Sequence, residues 1–456
     1  MKQTTKLAIV LNLFLGLSMA VNAQTPAATD QHPELKYRRS SLHLILLESE
    51  DFPRKEVVMK AYHEAPFPDK YNNHSISTIS VDPSTYVLTD AEKVAAGTKK
   101  SGMGNLGASM LSGVTAGIVD KDASDMPFIT GKIVKDKKIA NQLVAKWFNR
   151  QPDGSFDMKL IGERGSYDAT EMQANIAKGS ARGTASLSDA GEELIKNTFV
   201  VLTRLKFVSN EPIAAAIREV AKLKANNLPA LFQPAAYKVL DIAYNKAKEG
   251  YSVWTTSYLY RLKWNDSTAA VFYNDMWIDK SAKIDKKRKE AFDNTSLFEL
   301  EYIGSEKSSS LVTFSLKETR TEDQIVELAT VRNVEHVFAK LQKAYEVFKP
   351  KTPIYSGDPV TAKIGMKEGL EGGEKFEVLE QTVDSKTGLT TYVKKGTVTV
   401  DKKQIWDNRF NAGEEVSAND KDDKKKDKDK DKPAIDRTYF KGGGKFYAGM
   451  LLRQVK

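Results

Sequence analysis

Apolar and polar positions along this chain alternate between helical and strand periods. Ser40 to Leu47 is a nearly unbroken apolar run, which predicts a strand buried on both faces. Arg54 to Glu64 puts Val57, Val58, Ala61 and Tyr62 near one helical face, and Pro66-Phe67-Pro68 ends that helix. Val134 to Asn149 predicts a helix through Ile139, Leu143, Val144 and Trp147. Phe156 to Gly162 then predicts a strand, Met172 to Lys178 and Ala190 to Lys196 helices, and Thr198 to Val208 a long strand. Two more helices are expected over Ile213 to Lys224 and Ala235 to Lys248. Pro234 suits a first helical turn and Gly250 an exit.

The period then changes to that of strands. Tyr251 to Trp264 and Ala269 to Ile278 flank Asn265-Asp266-Ser267, the pattern of a hairpin around a short turn. Ser296 to Ile303 and Leu311 to Leu316 predict a second strand pair around Gly304 to Ser310. Thr321 to Phe348 is the clearest helix. Thr321 and Gln324 have the spacing of a capping box, and Ile325, Leu328, Val331, Val334, Phe338, Leu341, Tyr345 and Phe348 hold one stripe. Pro350 and Pro353 close it and mark a boundary. Short strands follow at Ala362 to Met366, Lys375 to Val383, Thr390 to Val400, Lys403 to Trp406, Thr438 to Lys441 and Lys445 to Leu452, several of them separated by glycines. The fold class is therefore α+β. A mixed region over 37–349, undivided or split near 150–165, ends in the long helix, and a small all-β barrel or sandwich follows over 350–456.

Three segments stand outside this pattern. Lys2 and Lys6 precede an apolar stretch from Leu7 to Met19, and Val21-Asn22-Ala23 follows with modest side chains. This is the three-part pattern of a secretory signal. A membrane-spanning helix needs about 20 apolar residues, and the stretch supplies 13. The reading is cleavage after Ala23, with a linker over 24–36. Ala95 to Gly117 is rich in glycine and contains a literal GxGxxG from Gly102 to Gly107. No good strand precedes it, so dinucleotide binding is not expected. Ser109, Gly113 and Gly117 form a small-residue series that would let helices approach closely. A glycine-rich loop is the simpler reading. Asp420 to Lys432 carries six aspartates and seven lysines with no apolar side chain. Such a tract cannot offset an ordering cost of about 1–2 kcal/mol per residue, so 418–434 is expected to be a disordered loop inside the β region.

Composition narrows the chemistry. There is no cysteine, which excludes disulfides, thiolate catalysis, cysteine-ligated zinc and a lipidated N-terminal cysteine. The formal charge of +9 becomes +7 when Lys2 and Lys6 leave with the signal. A basic exported chain points to anionic envelope polymers or lipid headgroups, not to nucleic acid. No serine elbow, phosphate-binding loop or paired-histidine zinc helix appears, so the sequence assigns no catalytic residue, cofactor or metal. Asp427, Asp429 and Asp431 have the spacing of a calcium loop, but interleaved lysines oppose it. His63, Asp69 and His74 could converge around the Pro66 to Asn73 turn as a metal site. Surface and turn roles are the simpler reading.

Two candidate binding features remain. In the expected hairpin, Trp254, Tyr258 and Trp264 share a strand face with Thr256, Tyr260 and Leu262. Exposed, these rings would stack on sugars; a core face is the alternative, since leaving a large apolar side chain in water forgoes about 1.5–3 kcal/mol. Lys280 to Lys289 is the densest basic run; on a helix, Lys286, Lys287 and Arg288 would carry a positive stripe suited to lipid phosphates or acidic glycans, and a solvated surface is the simpler reading.

A resemblance rests on Arg38 to Leu42, Pro66 to His74, Glu163 to Ala169, Asn197 to Val200 and Lys363 to Gly369. Together with Ala23-Gln24-Thr25-Pro26, these segments resemble a group of exported proteins of Bacteroidetes-type bacteria that carry no assigned function. The resemblance implies a periplasmic or outer-membrane-associated location and brings no catalytic residues. Lys363 to Glu380 is also similar, at the level of fold, to small β-barrel modules of bacterial envelope and flagellar-assembly proteins. The resulting expectation is a non-enzymatic binding or assembly factor with an envelope protein or an anionic or glycan polymer as partner, and with peripheral membrane contact allowed. A glycan-binding protein and an envelope hydrolase are the alternatives.

Overall fold

Strand β1 (Ser41–Leu47) is buried along both faces, so it needs a layer above and a layer below. The computed structural model describes residues 37–95, 124–167, 189–248, 251–280, 282–312, 321–383, 390–412 and 435–455. Beside β1 lie β2 (Asn72–Asn73), β3 (Ser80–Val81) and β4 (Thr198–Ser209), all parallel to it. The sheet continues antiparallel through β5 (Tyr251–Leu262) and β6 (Leu300–Val312), in the order β2-β1-β4-β5-β6 with β3 also on β1.

The helices in chain order are α1 (Lys55–Glu64), α2 (Asp90–Ala95), α3 (Met126–Asp136), α4 (Ile139–Trp147), α5 (Lys159–Tyr167) and α6 (Asp189–Lys196). They continue with α7 (Asn210–Ala225), α8 (Gln233–Ala247), α9 (Asp266–Val271), α10 (Lys286–Asn294) and α11 (Glu322–Ala344). Alternation along the strands sorts them into two layers. Leu42, Leu46, Phe199, Val201 and Leu205 face α1 and α11. Ile45, Leu47, Val200 and Leu202, one position out of step, face α3 and α4. At one end of the sheet a third, aromatic core gathers Trp147, Phe148, Phe156, Trp264, Phe272 and Phe292.

Beyond α11 the chain forms a closed antiparallel barrel of β7 (Thr352–Gly357), β8 (Val360–Ala362), β9 (Lys375–Val383), β10 (Thr390–Val400), β11 (Thr438–Lys441) and β12 (Leu451–Gln454), in the order β10-β11-β8-β7-β12-β9. Ile354, Val378, Val398 and Leu452 fill its interior. The architecture changes at Pro350, yet residues Lys36–Lys456 make one compact unit. Polar contacts cross the join: Lys70 Nζ donates to the Lys363 carbonyl at 2.7 Å, and Glu335 accepts from the Phe410 amide at 3.1 Å.

The long helix begins as expected, with both halves of the Thr321–Gln324 capping box formed. Several expectations are corrected. Lys403 to Trp406 is not a strand but a single bridge from Trp406 to Gly365, and the strand expected over Ala362 to Met366 ends at Ala362. The helix over Val134 to Asn149 is two helices, because Lys138 turns into the left-handed region at φ 47°. Phe156 to Gly162 is not a strand: Phe156 makes a single bridge to Asp279 and α5 starts at Lys159. The two strands expected around Gly304 are one strand, β6. The aromatic hairpin has only its first strand. Asn265 caps α9 by accepting from the Thr268 amide at 2.9 Å, and Phe272 to Met276 continue as a π-helical turn. The segments over 102–117, 172–178 and 420–432 lie outside the described residues.

Gly304 also explains itself by space. A Cβ there would sit 2.2 Å from the Tyr345 hydroxyl oxygen, and that hydroxyl donates to the Ser305 carbonyl at 3.1 Å. Gly304→Ala should therefore displace the Tyr345 ring and lower stability by about 1–3 kcal/mol, read as a lower urea midpoint. An unchanged midpoint would mean that Tyr345 yields freely.

Candidate functional site

The segments that carried the resemblance meet in space. Arg164 on α5 is the junction. Its guanidinium donates to His74 Nδ1 at 2.8 Å, to the Asn73 carbonyl at 2.7 Å and to Ser41 Oγ at 3.3 Å. It also lies 4.7 Å from the centre of the Trp147 ring. His74 stacks on the same ring with centroids 4.7 Å apart, and the Trp147 indole donates to Thr198 Oγ1 at 2.9 Å. An arginine only donates, so His74 Nδ1 is the acceptor and Nε2–H donates to the Leu143 carbonyl at 3.0 Å. His74 is a neutral core histidine. Burial, and then the Arg164 charge, hold its pKa well below the usual histidine value. His63 is exposed on α1. Among the described residues no three His, Cys, Asp or Glu side chains gather to hold a metal ion.

The expected sugar platform is not at the surface. Tyr258 and Trp264 are buried in two different cores, and Trp254 is half-buried. Lys286 and Lys287 are exposed at the first turn of α10. Arg288 is tied down by a 2.8 Å bond to the Trp277 carbonyl, and Phe292 anchors the helix in the aromatic core. The structure does not bring the aromatic and basic candidates together into one site.

Two clefts lie instead along the seam between the sheet's helical layer and the barrel, with Lys70 in the wall of both. The larger, about 300 Å³, runs between the loop after α1, α11 and the barrel turn at Lys367-Glu368. Phe67, Val334 and Phe338 give it an apolar wall. Its carboxylates hold the barrel in place: Glu335 accepts from the Phe410 amide at 3.1 Å, and Glu368 from the Gly365 amide at 2.7 Å and Asn408 Nδ2 at 2.9 Å. Burial raises the Glu335 pKa, partly countered by the Phe410 amide and Lys367. A Ser–His hydrogen bond exists elsewhere, Ser308 Oγ to His336 Nδ1 at 2.9 Å, but Ser308 is buried and neither residue lines these clefts.

The second cleft, about 200 Å³, is lined by Arg39, Lys70, Arg261, Lys349, Lys351 and Arg453 against a single acid, Glu346. Different elements position them. Arg261, at the end of β5, is held by the Lys196 carbonyl and Asn197 Oδ1, each at 2.8 Å. Lys349 and Lys351 lie on the link from α11 to the barrel. Arg453 on β12 binds Glu377 at 2.7 Å. Glu346 pairs with Lys349 at 2.8 Å and Arg453 at 3.3 Å. The Lys351 ammonium sits 4.2 Å from the centre of the Tyr392 ring and, among the described residues, makes no hydrogen bond or ion pair. Burial lowers its pKa; Glu193 offsets this, while Arg453 and Arg39 add to it. Burial likewise pushes Tyr37, hydrogen-bonded to Tyr392, up to about 12. Six basic side chains converge on one concavity, and most are countered nearby: Arg453 by Glu377 and Glu346, Lys349 by Glu346, Lys70 by Asp69 at 3.0 Å, with Glu193 acting on Arg39 and Lys351. The half-buried Lys351 supplies a donor with room for an anionic partner.

No family model matches this chain, and no curated protein matches it significantly.

Proposed function

We propose that this chain is an exported, non-enzymatic binding protein of a Gram-negative cell envelope, and that it holds an acidic group of an envelope glycan or polymer in the cationic cleft. The observation that carries this reading is the convergence of six basic side chains on that cleft, with Lys351 making no hydrogen bond or ion pair among the described residues. Charge-assisted bonds in a concave, partly dehydrated site are worth more than the same contacts on open surface. The signal pattern at the N-terminus and the resemblance to exported proteins support the envelope location, and native protein should begin at Gln24.

The test is titration of a fluorescent polyuronate, with neutral dextran as control. Lys351→Gln should weaken polyuronate binding about tenfold, the loss expected for one charge-assisted hydrogen bond. Lys286→Gln with Lys287→Gln should leave it unchanged. Equal affinities for wild type and Lys351→Gln, or equal binding of dextran, would sink the reading.

A further inference from the structure

The helical hairpin between β4 and β5 is built inside out. Its helices, α7 and α8, pack chiefly on each other, and polar groups join them. Arg218 Nε donates to Asp241 Oδ1 at 2.8 Å, Tyr244 to Glu211 at 3.3 Å, and Gln233 Nε2 to the Leu228 carbonyl at 2.9 Å. The large apolar side chains face outward. Leu231 is 83% exposed, Leu223 and Val239 65% each, Phe232 59% and Leu228 44%. Leu228, Leu231 and Phe232 form the tip, where Pro229 and Pro234 frame the turn. A clustered apolar surface of this kind marks a contact with something other than water.

The surrounding charge says what that is. Between Val220 and Leu240 the chain carries Lys222, Lys224 and Lys238 and no aspartate or glutamate; Glu219 pairs with Lys222 at 3.2 Å, and Glu211 and Asp241 fall toward the base. An apolar end with a basic collar matches a bilayer whose headgroups are anionic, with the tip in the acyl boundary and the lysines at the phosphates. Among the described residues no helix is long and apolar enough to cross a membrane, so the contact is interfacial. We propose that the α7–α8 tip inserts into the surface of an anionic phospholipid bilayer and tethers the chain there. This rests on the exposed tip and is independent of the cationic cleft.

Vesicle co-sedimentation of the full chain tests it, using phosphatidylglycerol–phosphatidylethanolamine vesicles against phosphatidylcholine alone. Comparing variants within one chain cancels any contribution from residues 1–36. Wild type should pellet with the anionic vesicles. Leu231→Ser with Phe232→Ser, both at exposed sites, should bind about tenfold or more weakly while keeping the wild-type urea midpoint and polyuronate affinity. Lys222→Gln, Lys224→Gln and Lys238→Gln together should abolish the preference for anionic lipid. Equal pelleting of wild type and the serine variant would overturn the proposal. So would a tip-dependent dimer in lipid-free sedimentation, which would assign the tip to a second copy of the chain.

Discussion

Trp147→Ala should be among the most destabilising single substitutions in this protein, by about 3–5 kcal/mol. Trp147 is fully buried in the aromatic core, so truncation leaves a cavity that Val144, Phe148 and Leu194 close only in part. The indole also does polar work: it donates to Thr198 Oγ1, and its ring packs against the hydrogen-bonded pair His74 and Arg164. Without it Arg164 loses its cation–π partner while remaining partly buried, and three chain segments lose their common support. Such a loss is a large part of the roughly 5–15 kcal/mol by which folded chains are stable. Trp147→Phe keeps a ring against His74 and Arg164 and removes the N–H, so it should cost about 1–2 kcal/mol. Urea unfolding reads both. Trp147→Ala and Arg164→Ala should combine non-additively, because each removes part of the same cluster. Additive effects would mean that the stack carries no coupling energy.

The features of this fold that are written locally are legible in the sequence, and those made by distant residues are not. The Thr321–Gln324 cap is local and forms, as does the stripe from Ile325 to Leu341, although α11 ends at Ala344 and leaves Tyr345 and Phe348 beyond it. Strands β9 and β10 run over the expected residues because glycines and alternation bound them. The failures are local ambiguities. Asn265-Asp266-Ser267 has side chains that suit a turn and a helix cap equally, since both use an oxygen to satisfy a backbone N–H; the cap wins, and the apolar run after it becomes helical. Gly304 looks like a strand break but sits within β6, where its missing Cβ admits Tyr345. Strand β7 escapes notice because Pro353 occupies it, which a barrel tolerates where the proline's missing N–H is not needed. The cationic cleft has no local signal at all. Arg39 and Lys70 lie in segments noted for resemblance, but Arg261, Lys349, Lys351 and Arg453 look like any surface charges until the barrel closes against the sheet. The run at Lys286 to Arg288 attracts attention because its charges are consecutive, although it lines neither cleft. The hairpin shows a further limit: periodicity finds α7 and α8 but cannot tell which side of them meets water.

Acid should unfold this protein in a window set by two buried histidines. His43 and His74 are both fully buried and neutral. His43 Nε2–H donates to the Thr78 carbonyl at 2.8 Å, and its pKa is pulled down to about 4, mainly by burial and further by the Lys146 charge. His74 is depressed in the same direction by burial, Arg164 and Lys146. In the unfolded chain both rings take up a proton as pH falls through about 6.5. The folded chain does not follow until much lower pH, so the unfolded state binds more protons and gains over the folded one. The stability associated with the neutral rings is thus whole above about pH 7 and is lost as pH falls from about 6.5 toward 4, at about 1.4 kcal/mol per pH unit for each histidine. His43 alone accounts for about 3 kcal/mol across that range. The hydrogen-bonded carboxylates act elsewhere. Glu92 and Asp436, each lowered to about 2, first by the Thr89 amide and by Arg437 respectively, shed their contributions as pH falls from the normal carboxylate range, about 4, toward 2. Urea midpoints measured in steps from neutral pH down should therefore begin to fall near pH 6.5, well above the range in which Glu92 and Asp436 act. In His43→Gln, where the amide can still donate to Thr78, the slope over this window should drop by about half. If the variant and wild type lose stability in parallel, His43 is not the group that senses the acid.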